Sequence, residues 1–108
     1  MRKLDFQTAI HNAIKIEQQA MELAEVIATI GVQLRWFDGQ LTRRAPVPEE
    51  DREVILQVSA FLANTGSGMP LDARLRVATL YVQDLTLLQH QWRRAMAANR
   101  ALVAVRSA

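Results

Sequence analysis

The densest run of ionisable side chains in this 108-residue sequence is Glu49-Glu50-Asp51-Arg52-Glu53, directly after Pro46-Val47-Pro48. Proline is at home in the first turn of a helix, where its missing N–H costs nothing. Acids in the same turn complement the positive end of the helix dipole by about 0.3–1 kcal/mol each. A helix is therefore expected to start at Pro48. Dipole complementation accounts for the acids in general. Arg52 and Glu53, a cation beside an acid, are candidates for more than this; the plain alternative is pairing on an exposed helix face, worth about 0–1 kcal/mol.

The remaining chemistry-bearing residues are sparse. His11 and His90 lie far apart in the chain and cysteine is absent, so disulfides and thiolate metal sites are excluded and a zinc site is not expected. The net charge of +2 is unevenly spread. Leu71 to Ala108 carries six arginines against two aspartates, and Arg93, Arg94, Arg100 and Arg106 have no acid among them. Such an arm favours anionic partners or forms a solvated face. Its basic residues are not interleaved with aromatics and no nucleic-acid motif is present, which argues against a nucleic-acid partner.

The elements that must position these residues are helical. From Leu4 to about Phe37 there is no proline, and two seven-residue series interleave: Phe6, Ala13, Ala20, Ile27, Leu34 and Ala9, Ile16, Leu23, Ile30, Phe37. The three-then-four spacing puts both on one helical face. Ile10, Ile14, Met21 and Ala24 widen that stripe. Asp38-Gly39 reads as a stop signal. A short helix from about Pro48 to Asn64 would bury Val54, Ile55, Val58, Phe61 and Leu62. The turn Thr65-Gly66-Ser67-Gly68-Met69-Pro70 follows. A third helix is expected from Leu71 to about Val105, with Leu71, Leu75, Ala78, Val82, Leu85, Leu88, Trp92, Met96 and Val103 on its buried face. Trp36 and Trp92 are expected to pack.

The expected fold is all-α, a single domain spanning 1–108, with helices in the order long, short, long. A short helix covers only about half of the stripe on each long partner, so the simplest complete solution is an intertwined homodimeric bundle. Apolar residues at 50% and charged residues at 22% suit a globular chain. No apolar run approaches the roughly 18 residues of a membrane span, and the N-terminal residues lack a signal peptide's apolar core. These features lead to the expectation of a cytoplasmic protein with no membrane partner.

The helix order, Pro46-Val47, the acids after it, Asp51-Arg52-Glu53, Leu71-Asp72-Ala73 and Gln91 on the third helix together resemble the all-helical chorismate mutases. The resemblance covers roughly Gln40 to Arg94 well, and the first helix by length and pattern. It implies an intertwined dimer with two sites inside the bundle, one chain lending an arginine to its partner's site. It also implies a cofactor-free Claisen rearrangement of chorismate to prephenate, the chemistry of the shikimate pathway.

Carried over residue by residue, the resemblance gives Arg52 the substrate's hydroxyl or carboxylate region and Glu53 the ring hydroxyl. Gln91 would donate to the ether oxygen whose bond breaks. Glu49 stands where the family often has an aspartate. Two arginines on the family's first helix and a lysine after it correspond to Asn12, Thr29 and Gln40 here, all neutral. Catalysis of this reaction needs one held conformer and fixed donors where negative charge grows. Either Arg43 and Arg44, or Arg35 or Lys15 in a shifted register, supply the cation, or the neutral residues line a polar site for a less anionic ligand. The alternative to an isomerase is a noncatalytic dimeric helical module that binds partners or regulates.

Overall fold

The computed structural model describes residues 3–41, 47–64 and 68–107. Within them the chain forms three helices and no strand: α1 (Lys3–Leu41), α2 (Glu49–Asn64) and α3 (Leu71–Ser107). The long, short, long order holds.

Each helix start follows its local chemistry. The Pro48 carbonyl accepts the Arg52 N–H at 3.1 Å, so Pro48 caps α2 from outside and helix geometry begins one residue later than its proline suggested. Pro70 does the same for α3, accepting the Arg74 N–H at 3.0 Å. In that first turn the Asp72 carboxylate accepts the Ala73 N–H at 2.9 Å, and the Arg74 Nε–H donates to the Met69 carbonyl at 2.9 Å. Gly68 has φ of 89°, a left-handed conformation that glycine adopts without a Cβ penalty, and it redirects the chain into α3.

The end of α1 departs from expectation. Asp38-Gly39 does not stop the helix, which continues to Leu41. Glycine inside a helix costs about 1 kcal/mol relative to alanine. Packing next to it outweighs that cost: Phe37 is buried against Trp92.

Contacts along α1 and α3 rise together in sequence. Gln33 meets Val82, Thr86 and Gln89; Phe37 meets Trp92; Gln40 lies by Met96 to Arg100. The two long helices are therefore parallel. Helix α2 runs back along α3, from Asp51 at Trp92 to Phe61 at Tyr81. The core is Leu23, Ile30 and Phe37 of α1, Val58 and Phe61 of α2, and Ala78, Leu85, Leu88 and Trp92 of α3.

This core covers only the second half of the α1 stripe. In the interleaved series Leu23, Ile30 and Phe37 are buried and Ile27 and Leu34 half-buried, whereas Phe6, Ala9, Ala13, Ile16 and Ala20 are exposed. The offset between α1 and α3 places the start of α3 beside roughly residue 17 of α1 at 1.5 Å per residue, so the first turns of α1 project past it. The molecule is accordingly long, 80 × 23 × 17 Å. Its radius of gyration is 20.2 Å, where a compact chain of this length has about 13 Å.

Burial predicts a sharp contrast on neighbouring turns of α3. Leu85→Ala, at a fully buried position, should lower the unfolding free energy by about 2–5 kcal/mol. Leu87→Ala, at an exposed one, should change it by less than about 0.5 kcal/mol, both read by urea titration.

Candidate functional site

Where α2 begins, it is tied to α3 by a hydrogen bond. The Trp92 indole N–H donates to the Asp51 carboxylate at 2.8 Å. Trp92 is buried, and a buried indole needs an acceptor. Around it Phe37 and Trp36 close an aromatic cluster: Phe37 meets Trp92 edge-on at 4.9 Å and Trp36 edge-on at 5.0 Å. The Arg93 guanidinium lies 5.1 Å from the centre of the Trp36 ring, a cation–π contact on the solvent side.

Arg52 and Glu53 follow Asp51 and Gln91 precedes Trp92, so these three of the expected site residues lie on the turns beside this junction. Their side chains, and that of Glu49, are exposed. Asp51 is the acid of this run that turns inward, half-buried on the indole. The expectation for Trp36 and Trp92 holds: one is half-buried and the other fully buried, both in ring contacts.

The first-helix residues are spread along α1. From Asn12 to Gln40 is about 42 Å, and from Thr29 to Gln40 about 16 Å, at 1.5 Å per residue. One chain therefore cannot gather the three at one ligand. Asn12 is exposed on the projecting half. The Thr29 hydroxyl is turned back onto its own helix, donating to the Glu25 carbonyl at 3.1 Å. Gln40 is half-buried and lines an open groove of about 510 Å³ with Met96, Asn99 and Arg100, so a cation of α3 stands beside it. Arg43 and Arg44 lie outside the described residues, as does the side chain of Val103.

One polar residue has a role that its sequence neighbours do not announce. Gln33 of α1 is 7% exposed, inside the apolar seam. Its side-chain N–H group reaches the Val82 carbonyl at 3.2 Å, the Thr86 hydroxyl oxygen at 2.9 Å and the Gln89 amide oxygen at 3.4 Å. Its own Oε1 is buried without a hydrogen-bond partner, an arrangement that costs about 1–3 kcal/mol. The signal is present in the spacing: Gln33 stands three residues after Ile30 and four before Phe37, on the buried face.

Among the described residues no three His, Cys, Asp or Glu side chains come together as a metal-binding group, and no helix is long and apolar enough to cross a membrane. Comparison with protein-family models, with curated proteins and with solved structures returned no match.

The junction separates a structural acid from its exposed neighbours. Trp92→Phe keeps an aromatic side chain but removes the donor to Asp51 and leaves a void at a buried position, and should cost about 1–3 kcal/mol or more in thermal or urea unfolding. Arg52→Ala and Gln91→Ala, at exposed positions, should each cost less than about 0.5 kcal/mol in the same measurement.

Proposed function

We propose that this chain is a helical self-association module, a noncatalytic unit whose first half of α1 pairs with the same segment of a second copy. The observation that carries the reading is the uncovered stripe on α1. Phe6, Ile10, Ile14, Ile16 and Met21 are 42–58% exposed on one projecting helix segment. Phe6 and Ile16 continue the seam that is buried further along the same helix, and Ile10, Ile14 and Met21 extend the apolar surface on the flank of Phe6.

Two further features favour a second copy as the occupant. The chain exposes 8132 Å², whereas a compact monomer of this mass exposes about 6,000 Å². The difference is ample for a specific interface, which needs about 1,000 Å² or more in total. The stripe is also complementary to itself. Reversing one α1 against another about Ala13 sets Phe6 beside Ala20 and Ile10 beside Ile16, with the small Ala13 side chains at the crossing. Phe6 then faces the small Ala20, Ile10 meets Ile16, and one self-complementary patch closes a two-fold dimer.

A second reading, a chorismate-type isomerase, draws support from the Asp51–Trp92 hydrogen bond, next to which Arg52, Glu53 and Gln91 stand in the sequence, and from Arg100 lining a groove with Gln40. In that reaction a C–O ether bond breaks as a C–C bond forms within one molecule. No proton or electron leaves, so positioning and hydrogen-bond donation are all the protein supplies. The three exposed side chains would need a second chain to close over them.

Light scattering on the eluting protein tests the first reading, and chorismate turnover the second. The expected mass is twice 12.2 kDa, falling to 12.2 kDa for Phe6→Glu/Ile10→Glu with helix content kept. A wild-type monomer at tens of micromolar, or a mass that climbs past the dimer with concentration, overturns self-association by this face. Loss of chorismate absorbance on mixing, abolished by Gln91→Ala, would establish the isomerase instead.

A further inference from the structure

We propose that Glu17 decides the direction in which two α1 helices pair, by excluding the parallel arrangement; the inference rests on the self-association reading. Glu17 is exposed. At the 3.6 residues per turn of an α-helix it lies about 20° around α1 from Phe6, Ile10 and Ala24, and about 40° from Ala13 and Met21. The other ionisable side chains between residues 5 and 24 are Asp5, His11, Lys15 and Glu22. All four lie more than about 100° away from it around the helix. A single carboxylate therefore stands in the middle of the uncovered apolar stripe.

Apolar contact is not directional, so a stripe of this kind can meet its copy either way round. Fitting Phe6 beside Ala20 favours the reversed pair but does not forbid the other. In a parallel, in-register pair every residue meets its own counterpart. Ile10 then faces Ile10 and Met21 faces Met21, which packing tolerates, but Glu17 faces Glu17, and two carboxylates repel strongly at short range in a seam that excludes water. Reversal about Ala13 removes that contact. Position 17 then meets position 9, so each Glu17 faces the small Ala9 of the other copy, whose methyl group leaves the carboxylate room to reach water. The two Glu17 residues stand eight positions apart, about 12 Å along the axis at 1.5 Å per residue. That is beyond the roughly 8 Å over which physiological salt screens exposed charges.

A charge at the centre of a seam lowers its stability, and one polar position among apolar ones fixes how helices pair at that cost. A leucine at position 17 would bind more tightly and accept both directions. Glu17 is thus a specificity residue of the interface, not a source of its affinity.

The chain has no cysteine, so single cysteines report direction by disulfide formation under mild oxidation. Ala13→Cys, at the crossing, reports that two chains have paired. Ala20→Cys reports a parallel pair, in which the two thiols are adjacent. In the reversed pair they stand about 21 Å apart along the axis at 1.5 Å per residue, beyond the roughly 7 Å between Cα atoms that a disulfide spans. With Glu17 in place, Ala13→Cys should crosslink, and Ala20→Cys should do so no faster than the exposed control Ala98→Cys. Glu17→Gln, which keeps the shape and removes the charge, and Glu17→Leu should each let Ala20→Cys crosslink about tenfold faster or more. The Glu17→Leu dimer should also persist to lower concentration than the parent. Ala20→Cys that crosslinks rapidly with Glu17 in place, or stays slow in both variants while Ala13→Cys crosslinks, overturns the proposal and leaves self-association standing. So does a Glu17→Leu dimer weaker than the parent, because the carboxylate would then hold the pair together. Ala13→Cys that stays monomeric in every background removes the self-association reading itself, and this inference with it.

Discussion

A helix of 39 residues carries an apolar stripe about 58 Å long at 1.5 Å per residue, and this chain has too little other structure to cover it. Helix α2 has 16 residues, and α3 begins beside the middle of α1. The parallel pairing of the two long helices sets the shape of the molecule. Connected by a returning α2, they overlap over only part of their lengths, so α1 projects at one end and α3 at the other. On the α3 tail Leu102 and Val105 are exposed as well. The elongated shape, the excess surface and the placing of the candidate residues are consequences of that offset.

Within the overlap, stability is concentrated at two places. One is the aromatic junction, where Trp92 packs on Phe37 and holds Asp51 of α2 by its indole N–H. Rings in edge-to-face contact add roughly 0.5–1.5 kcal/mol per pair beyond burial. The other is the seam around Gln33, where hydrogen bonds to α3 offset a buried amide and its unmet carbonyl. A small core with long projecting arms makes the folded state marginal, and a partner that binds only the folded chain would raise its stability with concentration.

The helix order and the buried faces are legible in the sequence because proline, glycine and a seven-residue period are local signals. Val58, Phe61, Ala78, Leu85 and Trp92 are all expected in the core from their spacing, and all are buried. The end of α1 is not legible at Asp38-Gly39, because contact with α3, distant in sequence, carries the helix past it. The inward turn of Asp51 is hidden among four acids of equal local merit. Only the need of a buried indole for an acceptor distinguishes it. Spacing along the chain does not say which way a side chain faces, and Arg52, Glu53 and Gln91 are exposed. Gln33 shares the period of its apolar neighbours, and its polarity conceals that it belongs to the same buried face.

The first half of α1 is held to meet its own copy in reverse about Ala13, and a single Ala13→Cys substitution in this cysteine-free chain tests that directly. Helices crossing at a small residue lie about 8–10 Å apart, so mild oxidation should convert the protein almost completely to a disulfide-linked dimer. Chain that stays monomeric under oxidation, or that crosslinks no faster than a control with cysteine at the exposed Ala98, would contradict it.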